Sequence, residues 1–101
     1  MATYIMLMNF TERGAEGVAD ARAGRAAGKK AAAAMGVKWK GSYLLMGRYD
    51  VMVILEAPDD ETMARFSLMG EMSGAVSVET MRAFTESEAD KLIQGLPAPQ
   101  T

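Results

Sequence analysis

The sequence has 101 residues and contains neither cysteine nor histidine. The lack of cysteine excludes disulfides, thiol nucleophiles and cysteine-ligated zinc or iron–sulfur centres. The lack of histidine excludes a Ser–His–Asp triad, a histidine metal site and histidine-ligated haem. The ten methionines leave only thioethers as soft metal ligands, and methionine is more often an adaptable core residue. We therefore expect no metal and no cofactor.

Long hydrophobic runs are also absent. The longest are residues 4–8 and 51–55, far shorter than the ~20 residues of a membrane-spanning helix. Residues 1–4 carry no basic group ahead of the first run, so a signal peptide is not expected. The prediction is a cytoplasmic protein without a membrane partner.

Charge of either sign is modest overall but unevenly placed. The net charge of −2 argues against electrostatic nucleic-acid binding. Residues 1–50 have a balance of +4, with eight basic and four acidic side chains, whereas residues 51–101 have a balance of −6. Either the two halves neutralise each other within one fold, or they form complementary surfaces for self-assembly.

Hydrophobic periodicity and capping residues predict seven elements in the order β-α-β-β-α-β-α. The predicted strands are 3–10, 37–46, 51–57 and 76–84, and the predicted helices are 12–34, 59–72 and 86–94. Thr11 is the expected N-cap of the first helix, and Thr85 with Glu88 forms a capping box for the last. Residues 1–95 are predicted to form a single domain and 96–101 a flexible tail.

The first helix is unusually rich in glycine. Gly14, Gly17, Gly24 and Gly28 each destabilise a helix interior by ~1 kcal/mol relative to alanine. They indicate either a break near residues 20–24 or a helix face that lies very close to a neighbour.

The element order is that of the ferredoxin-like βαββαβ unit, an α+β fold. Right-handed crossovers predict an antiparallel sheet with strand order 4-1-3-2, followed by a short C-terminal helix. In the second strand, alternation predicts Val37, Trp39 and Tyr43 on one face and Lys38, Lys40 and Ser42 on the other.

The two central strands, 4–8 and 51–55, are apolar at every position. Helices cover only one face of such a sheet, so the other face would expose large apolar side chains. A second copy packed on that face is the simplest cover, and it predicts a homodimer or higher homo-oligomer, the dimeric α/β barrel.

Four blocks of the sequence resemble the GYD-domain family. They are Tyr4–Thr11, Met46–Asp50, Glu56–Asp60 and Glu79–Thr85. The resemblance covers about residues 3–93 and implies a ferredoxin-like, dimeric α/β-barrel fold without an assigned activity. The Gly-x-Tyr-Asp turn also resembles a hairpin in effector-binding domains of leucine-responsive-type regulators. Other dimeric α/β barrels are cofactor-free monooxygenases, isomerases and haem peroxidases.

The Gly47–Asp50 turn is the first candidate site. Gly47 can adopt positive φ and Asp50 can accept bonds from backbone N–H groups, which is a sufficient structural reason for both. The functional alternative makes Arg48 an anion clamp and Tyr49 a stacking or hydrogen-bonding wall.

Charged and aromatic side chains within the strands are further candidates. Glu56, Glu79 and Arg82 lie in apolar strands, where a charge is costly unless it is paired. They either pair at the sheet margins or line a polar site. Tyr4 and Tyr43 serve either as packing groups or as the wall of a pocket.

Three hypotheses for function follow. The first is a homo-oligomeric module that binds a small organic or anionic ligand through Tyr4, Tyr43, Arg48, Tyr49 and Arg82. The second is a cofactor-free monooxygenase- or isomerase-like enzyme, with Glu56 or Asp50 as base and Arg48 or Arg82 stabilising an enolate. The third is a purely structural oligomer. An enzyme requires an enclosed cavity that a carboxylate faces, whereas an assembly module can have a filled core.

Overall fold

The computed structural model describes residues 1–99 and contains one four-stranded sheet. The strands are β1 (Ala2–Phe10), β2 (Lys38–Leu44), β3 (Val51–Ala57) and β4 (Val76–Ala83). The helices are α1 (Glu12–Glu16), α2 (Ala21–Ala34), α3 (Asp60–Met72) and α4 (Glu86–Gln94), with a 3-10 turn at Val18–Asp20. All neighbouring strands are antiparallel in the order β2-β3-β1-β4. The predicted ferredoxin-like strand order is therefore confirmed. The tail predicted at 96–101 lies partly outside the described residues.

The predicted first helix is interrupted earlier than the glycine pattern suggested. It ends after Glu16, and the chain makes a 3-10 turn before α2 begins at Ala21. Gly24 and Gly28 therefore lie inside α2. A Cβ at Gly28 would lie 3.4 Å from the Trp39 ring, an ordinary van der Waals contact, so the packing of α2 on the sheet does not require glycine there. The break is present, and the close approach lies at Gly14 of α1.

One face of the sheet carries the core beneath α2 and α3. Large side chains from the two central strands meet Met63 and Phe66 of α3 there. The buried residues are Tyr4, Met6, Ala32, Val37, Val53, Leu55, Ala57, Met63 and Phe66. Burial of these apolar side chains is the main favourable term that holds α2 and α3 on the sheet.

The opposite face of the sheet, here called the open face, has no helix on it. Strand pairing aligns its side chains in rows across the sheet. One row is Tyr43, Met52, Leu7 and Glu79; the next is Gly41, Ile54, Ile5 and Met81; the third is Lys38, Glu56, Thr3 and Ala83. The expectation that both faces of β1 and β3 are apolar is thus confirmed.

A β-bulge in β2 corrects the predicted face of Tyr43. The register shifts between Trp39 and Gly41, so Trp39 pairs with Leu55 on the core side while Tyr43 pairs with Met52 on the open face. One extra residue reverses all later side chains of a strand. Val37, Trp39 and Tyr43 therefore do not share a face, contrary to the alternation in the sequence.

The end of β1 is joined to the α3–β4 connection by an unusually close approach. The Thr11 N–H donates to Ala75 O at 3.0 Å, and the Thr11 hydroxyl donates to Gly74 O at 2.6 Å. A Cβ on Gly14 would lie only 1.9 Å from Ala75 O. Gly74 has φ +74, which favours glycine as well.

We expect Gly14→Ala to destabilise the fold, because the added methyl group meets backbone that is fixed by two hydrogen bonds. The loss should be about 1–3 kcal/mol, as for other overpacked sites. Gly24→Ala is the matched control, since nothing lies within 4 Å of its added Cβ. That variant should be up to about 1 kcal/mol more stable, through helix propensity. Urea unfolding of both variants measures the difference, and equal stabilities would contradict the close approach.

Candidate functional site

The turn that joins β2 to β3 is fixed to the end of β1 by Asp50. Its carboxylate accepts the Phe10 N–H at 2.8 Å, and its own N–H donates to Met8 O at 2.9 Å. Gly47 has φ +139, a conformation that side chains rarely adopt. Asp50 thus has a structural task at this position, as the first interpretation of the turn expected.

Tyr49 reaches across the open face. Its hydroxyl donates to Glu79 Oε2 of β4 at 2.5 Å, although β1 lies between β3 and β4. Glu79 pairs with Leu7, so the Tyr49 ring crosses β1 near that residue. The hydrogen bond to the carboxylate raises the pKa of Tyr49, and the nearby charge of Arg48 acts in the opposite direction.

A second cluster lies on the core side, at the far end of the strands. The buried Tyr4 hydroxyl donates to the Asp60 carboxylate in the first turn of α3. This hydrogen bond raises the pKa of Tyr4, with burial adding to the effect. The Arg82 guanidinium lies 5.7 Å from the Tyr4 ring centre and 4.3 Å from that of Phe84, within range of cation–π attraction.

Arg82 and Glu56 have separate ionic partners. Arg82 lies 3.8 Å from Glu88 of α4, and it also donates to Thr3 O at 3.2 Å. Glu56 lies 3.9 Å from Lys40 across β2 and β3. The two charges thus pair at the margins of the sheet, as the structural interpretation predicted.

The residues predicted to bind a ligand fall into two groups on opposite sides of the sheet. Tyr4 and Arg82 belong to the core-side cluster, whereas Tyr43 and Tyr49 lie on the open face, with Arg48 in the adjoining turn. The backbone of the sheet separates the two groups. Within one chain, the five side chains do not surround a common space.

Two hollows among residues 1–99 are lined by none of these five residues. One is an open depression along α4, lined by residues between Thr85 and Gln94. The other follows the start of α2, lined by residues between Ala19 and Lys29. Neither hollow contains Glu56 or Asp50, the two carboxylates predicted as bases.

Two members of the core-side cluster were not predicted from the sequence. In the sequence, Asp60 is recognised only as the end of the Glu56–Asp60 block and Glu88 only as part of a capping box. Since Ala2 pairs with Ala57, the end of β3 lies beside the start of β1. Given that register, a carboxylate in the first turn of α3, the helix that follows β3, is expected to lie near Tyr4.

Comparison with known proteins identifies the family. The GYD-domain model matches residues 4–93. The chain belongs to the GYD-domain family. The crystal structure of hypothetical protein PHS023 from Pyrococcus horikoshii is similar to this GYD chain, with a TM-score of 0.53 and 23% identity over 85% of this chain and 93% of that one. At this identity the likeness concerns the fold alone. No curated protein matches the sequence.

Among residues 1–99 of this GYD chain, no helix has both the length and the apolar character needed to cross a membrane. The same part of the chain contains no group of three or more acidic side chains placed to hold a metal ion.

We predict that Asp50→Ala lowers the free energy of unfolding by about 1–3 kcal/mol, because the Phe10 N–H loses its charged acceptor. Arg48→Ala, at an exposed position of the same turn, should change stability by less than about 0.5 kcal/mol. Chemical denaturation of the two variants is the measurement. A destabilisation by Arg48→Ala as large as that by Asp50→Ala would contradict the structural role given to Asp50.

Because two tyrosine hydroxyls are hydrogen-bonded to carboxylates, we expect the stability of the fold to decrease at alkaline pH. The pKa values of Tyr4 and Tyr49 are raised in the fold, so the unfolded chain ionises first, near pH 10. The stability that these neutral hydroxyls contribute is present below that pH and is lost as pH rises through the folded pKa values. The unfolding free energy should fall less steeply between about pH 9 and 11 in Tyr4→Phe/Tyr49→Phe than in wild type. Parallel pH profiles from urea titrations would refute the prediction.

Proposed function

We propose that the protein is a homodimeric assembly module whose two subunits pair through their open faces. The observation that carries the proposal is the apolar centre of that face. Ile5, Leu7, Met52 and Ile54 occupy adjacent positions of two rows on the central strands. No helix of residues 1–99 lies over them, and a sheet with helices on one side needs a second layer when its other side is apolar.

Polar residues surround this apolar centre. Asn9 and Ser77 lie beyond one end, and Thr3 and Glu56 lie at the other. At the margin, Glu79 is already satisfied by the Tyr49 hydroxyl. An apolar core within a polar rim is the usual anatomy of a protein interface. A two-fold axis brings the same surface of a second copy onto it, so the interface is self-complementary.

The residues between the sheet and the helices favour an assembly module over an enzyme. Tyr4, Met6, Met63 and Phe66 belong to the buried apolar core between the sheet and the helices. The Asp50 carboxylate accepts the Phe10 N–H, and Glu56 lies beside Lys40 at the sheet margin. These contacts support the assembly hypothesis over an enzyme that uses either carboxylate as base.

Ligand binding remains a prediction, and pairing of the open faces would change its location. Tyr43 is 57% exposed in the single chain, and Tyr49 lies over the same face. In the proposed dimer both would line the junction between subunits. A small organic ligand would therefore be held there by aromatic contacts rather than between the sheet and the helices.

The test is the oligomeric state of wild type and of two lysine variants. Wild type should be a dimer at micromolar concentration by light scattering. Met81→Lys places a charge in the open face, and burial of that unpaired charge should weaken dimerisation about a hundredfold or more. Leu68→Lys is the matched control on α3, since Leu68 is even more exposed, at 62% against 37% for Met81.

The control variant should remain a dimer, because α3 lies on the other side of the sheet. A monomeric wild type would refute the proposal. Equal weakening by both substitutions would mean that subunits do not meet through the open face.

A further inference from the structure

Neither the C-terminal helix α4 nor the short α1 has a buried residue, whereas α2 and α3 each bury at least one. Its apolar side chains and those just after it are largely exposed: Leu92 at 55%, Ile93 at 63% and Leu96 at 67%. The described chain has a radius of gyration of 16.0 Å and extends 57 Å along its longest axis, whereas a compact chain of this length has about 13 Å. An amphipathic helix left in water in this way has a surface without a partner.

The start of α4 is nevertheless held firmly. The Thr85 hydroxyl accepts the Glu88 N–H, and the Glu88 carboxylate accepts the Thr85 N–H at 2.9 Å. Glu88 also lies 3.8 Å from Arg82 of β4. The helix is therefore an ordered arm whose first turn is fixed to the end of the edge strand.

The arm is acidic on one side. Glu86 and Asp90 are four residues apart and thus adjacent on the helix surface. Both are exposed, and within residues 1–99 neither forms an ion pair. They are among the acidic side chains of the second half of the sequence that form no ion pair in the described chain.

The opposite edge of the sheet is basic and uncovered. The edge strand β2 pairs only with β3, and in the described part of the chain its outward backbone groups have no hydrogen-bond partner. Lys38 and Lys40 are exposed there, and only Lys40 has a carboxylate nearby, Glu56 at 3.9 Å. A free strand edge invites association unless something covers it, and a helix is one such cover.

The acidic arm and the basic edge lie too far apart to meet within one subunit. The order β2-β3-β1-β4 places them at opposite margins of the sheet, about 14 Å apart by three strand spacings. A second copy can bring them together. When the two-fold axis of an open-face dimer runs parallel to the strands, the β4 edge of each copy lies over the β2 edge of the other.

The strand register makes this match specific. Lys38 and Ala83 are the two ends of one row across the sheet, the row that also contains Glu56 and Thr3. In this orientation Ala83 of one copy faces the position of Lys38 in the other, and α4 begins three residues further on. The alternative axis, across the strands, would place β4 over β4 and bring the acidic arm towards the acidic Glu79.

We infer that α4 of each subunit packs along the β2 edge of a second copy of this chain, with Glu86 and Asp90 facing Lys38 and Lys40. This inference rests on the proposed open-face dimer, and it adds the orientation of the subunits and a second, reciprocal contact. By symmetry the dimer contains two such contacts. They would cover the apolar side of α4 and the free edge of the sheet together.

Charge reversal with complementation tests the inference. The arm variant Glu86→Lys/Asp90→Lys and the edge variant Lys38→Glu/Lys40→Glu each bring like charges together in a homodimer. Each should dimerise about tenfold more weakly than wild type or worse. Mixed together, the two variants should form a heterodimer of near wild-type affinity, since both of its arm–edge contacts are again of opposite charge. Native mass spectrometry counts the three species.

Controls with the same change in net charge are available on other surfaces. Glu12→Lys/Glu16→Lys on α1 matches the arm variant, and Arg22→Glu/Arg25→Glu on α2 matches the edge variant. Both controls should dimerise like wild type. The preference of the two test variants for each other should shrink in about 0.5 M salt, where charges are screened within a few ångströms.

The outcomes separate this inference from the proposal on which it rests. A dimeric wild type, with test variants that dimerise normally and mix statistically, overturns the arm–edge contact and leaves the open-face dimer intact. Weakening by the arm variant alone places α4 elsewhere on the partner and overturns the β2 contact. A monomeric wild type refutes the dimer itself.

Discussion

The central position of β1 governs the rest of the structure. β1 lies between β3 and β4, and its side chains alternate between two apolar environments. Tyr4 and Met6 enter the core beneath the helices, whereas Ile5 and Leu7 face the uncovered side. A strand of this kind is stable only with material on both faces, because burial of apolar area is the main favourable term in folding. The single chain supplies one layer, and the proposed partner supplies the other.

Much of the fold could be predicted because its signals are local. The apolar run at 51–57 marks β3 at its observed bounds, and Thr85 with Glu88 marks the start of α4. The handedness of crossover connections then determines the strand order from the element order. Each of these features depends on a few adjacent residues or on a general rule of chain geometry.

The failures concern features that depend on tertiary contacts. Gly41, an isolated glycine inside a strand, is a signal for the bulge, but only the pairing with β3 shows that Tyr43 lies on the other face. The helix breaks at residues 17–20, slightly before the predicted 20–24, and Gly14 just ahead of the break packs against Ala75 of a distant loop. The sequence does not show which face of the sheet each candidate ligand-binding residue occupies, so these residues were predicted as one set. In the structure they lie on two opposite faces. The identity of a side chain indicates its chemistry, but only the strand register determines which side chains lie next to it.

The position of β1 also has a consequence for how the chain acquires its structure. β1 is synthesised before both of its neighbours, residues 51–57 and 76–83. All its ladder contacts thus join distant parts of the chain, which raises contact order and slows folding. Until β4 has left the ribosome, β1 remains an apolar segment without its full pairing. An apolar segment exposed in this way is prone to aggregation while the chain is being made.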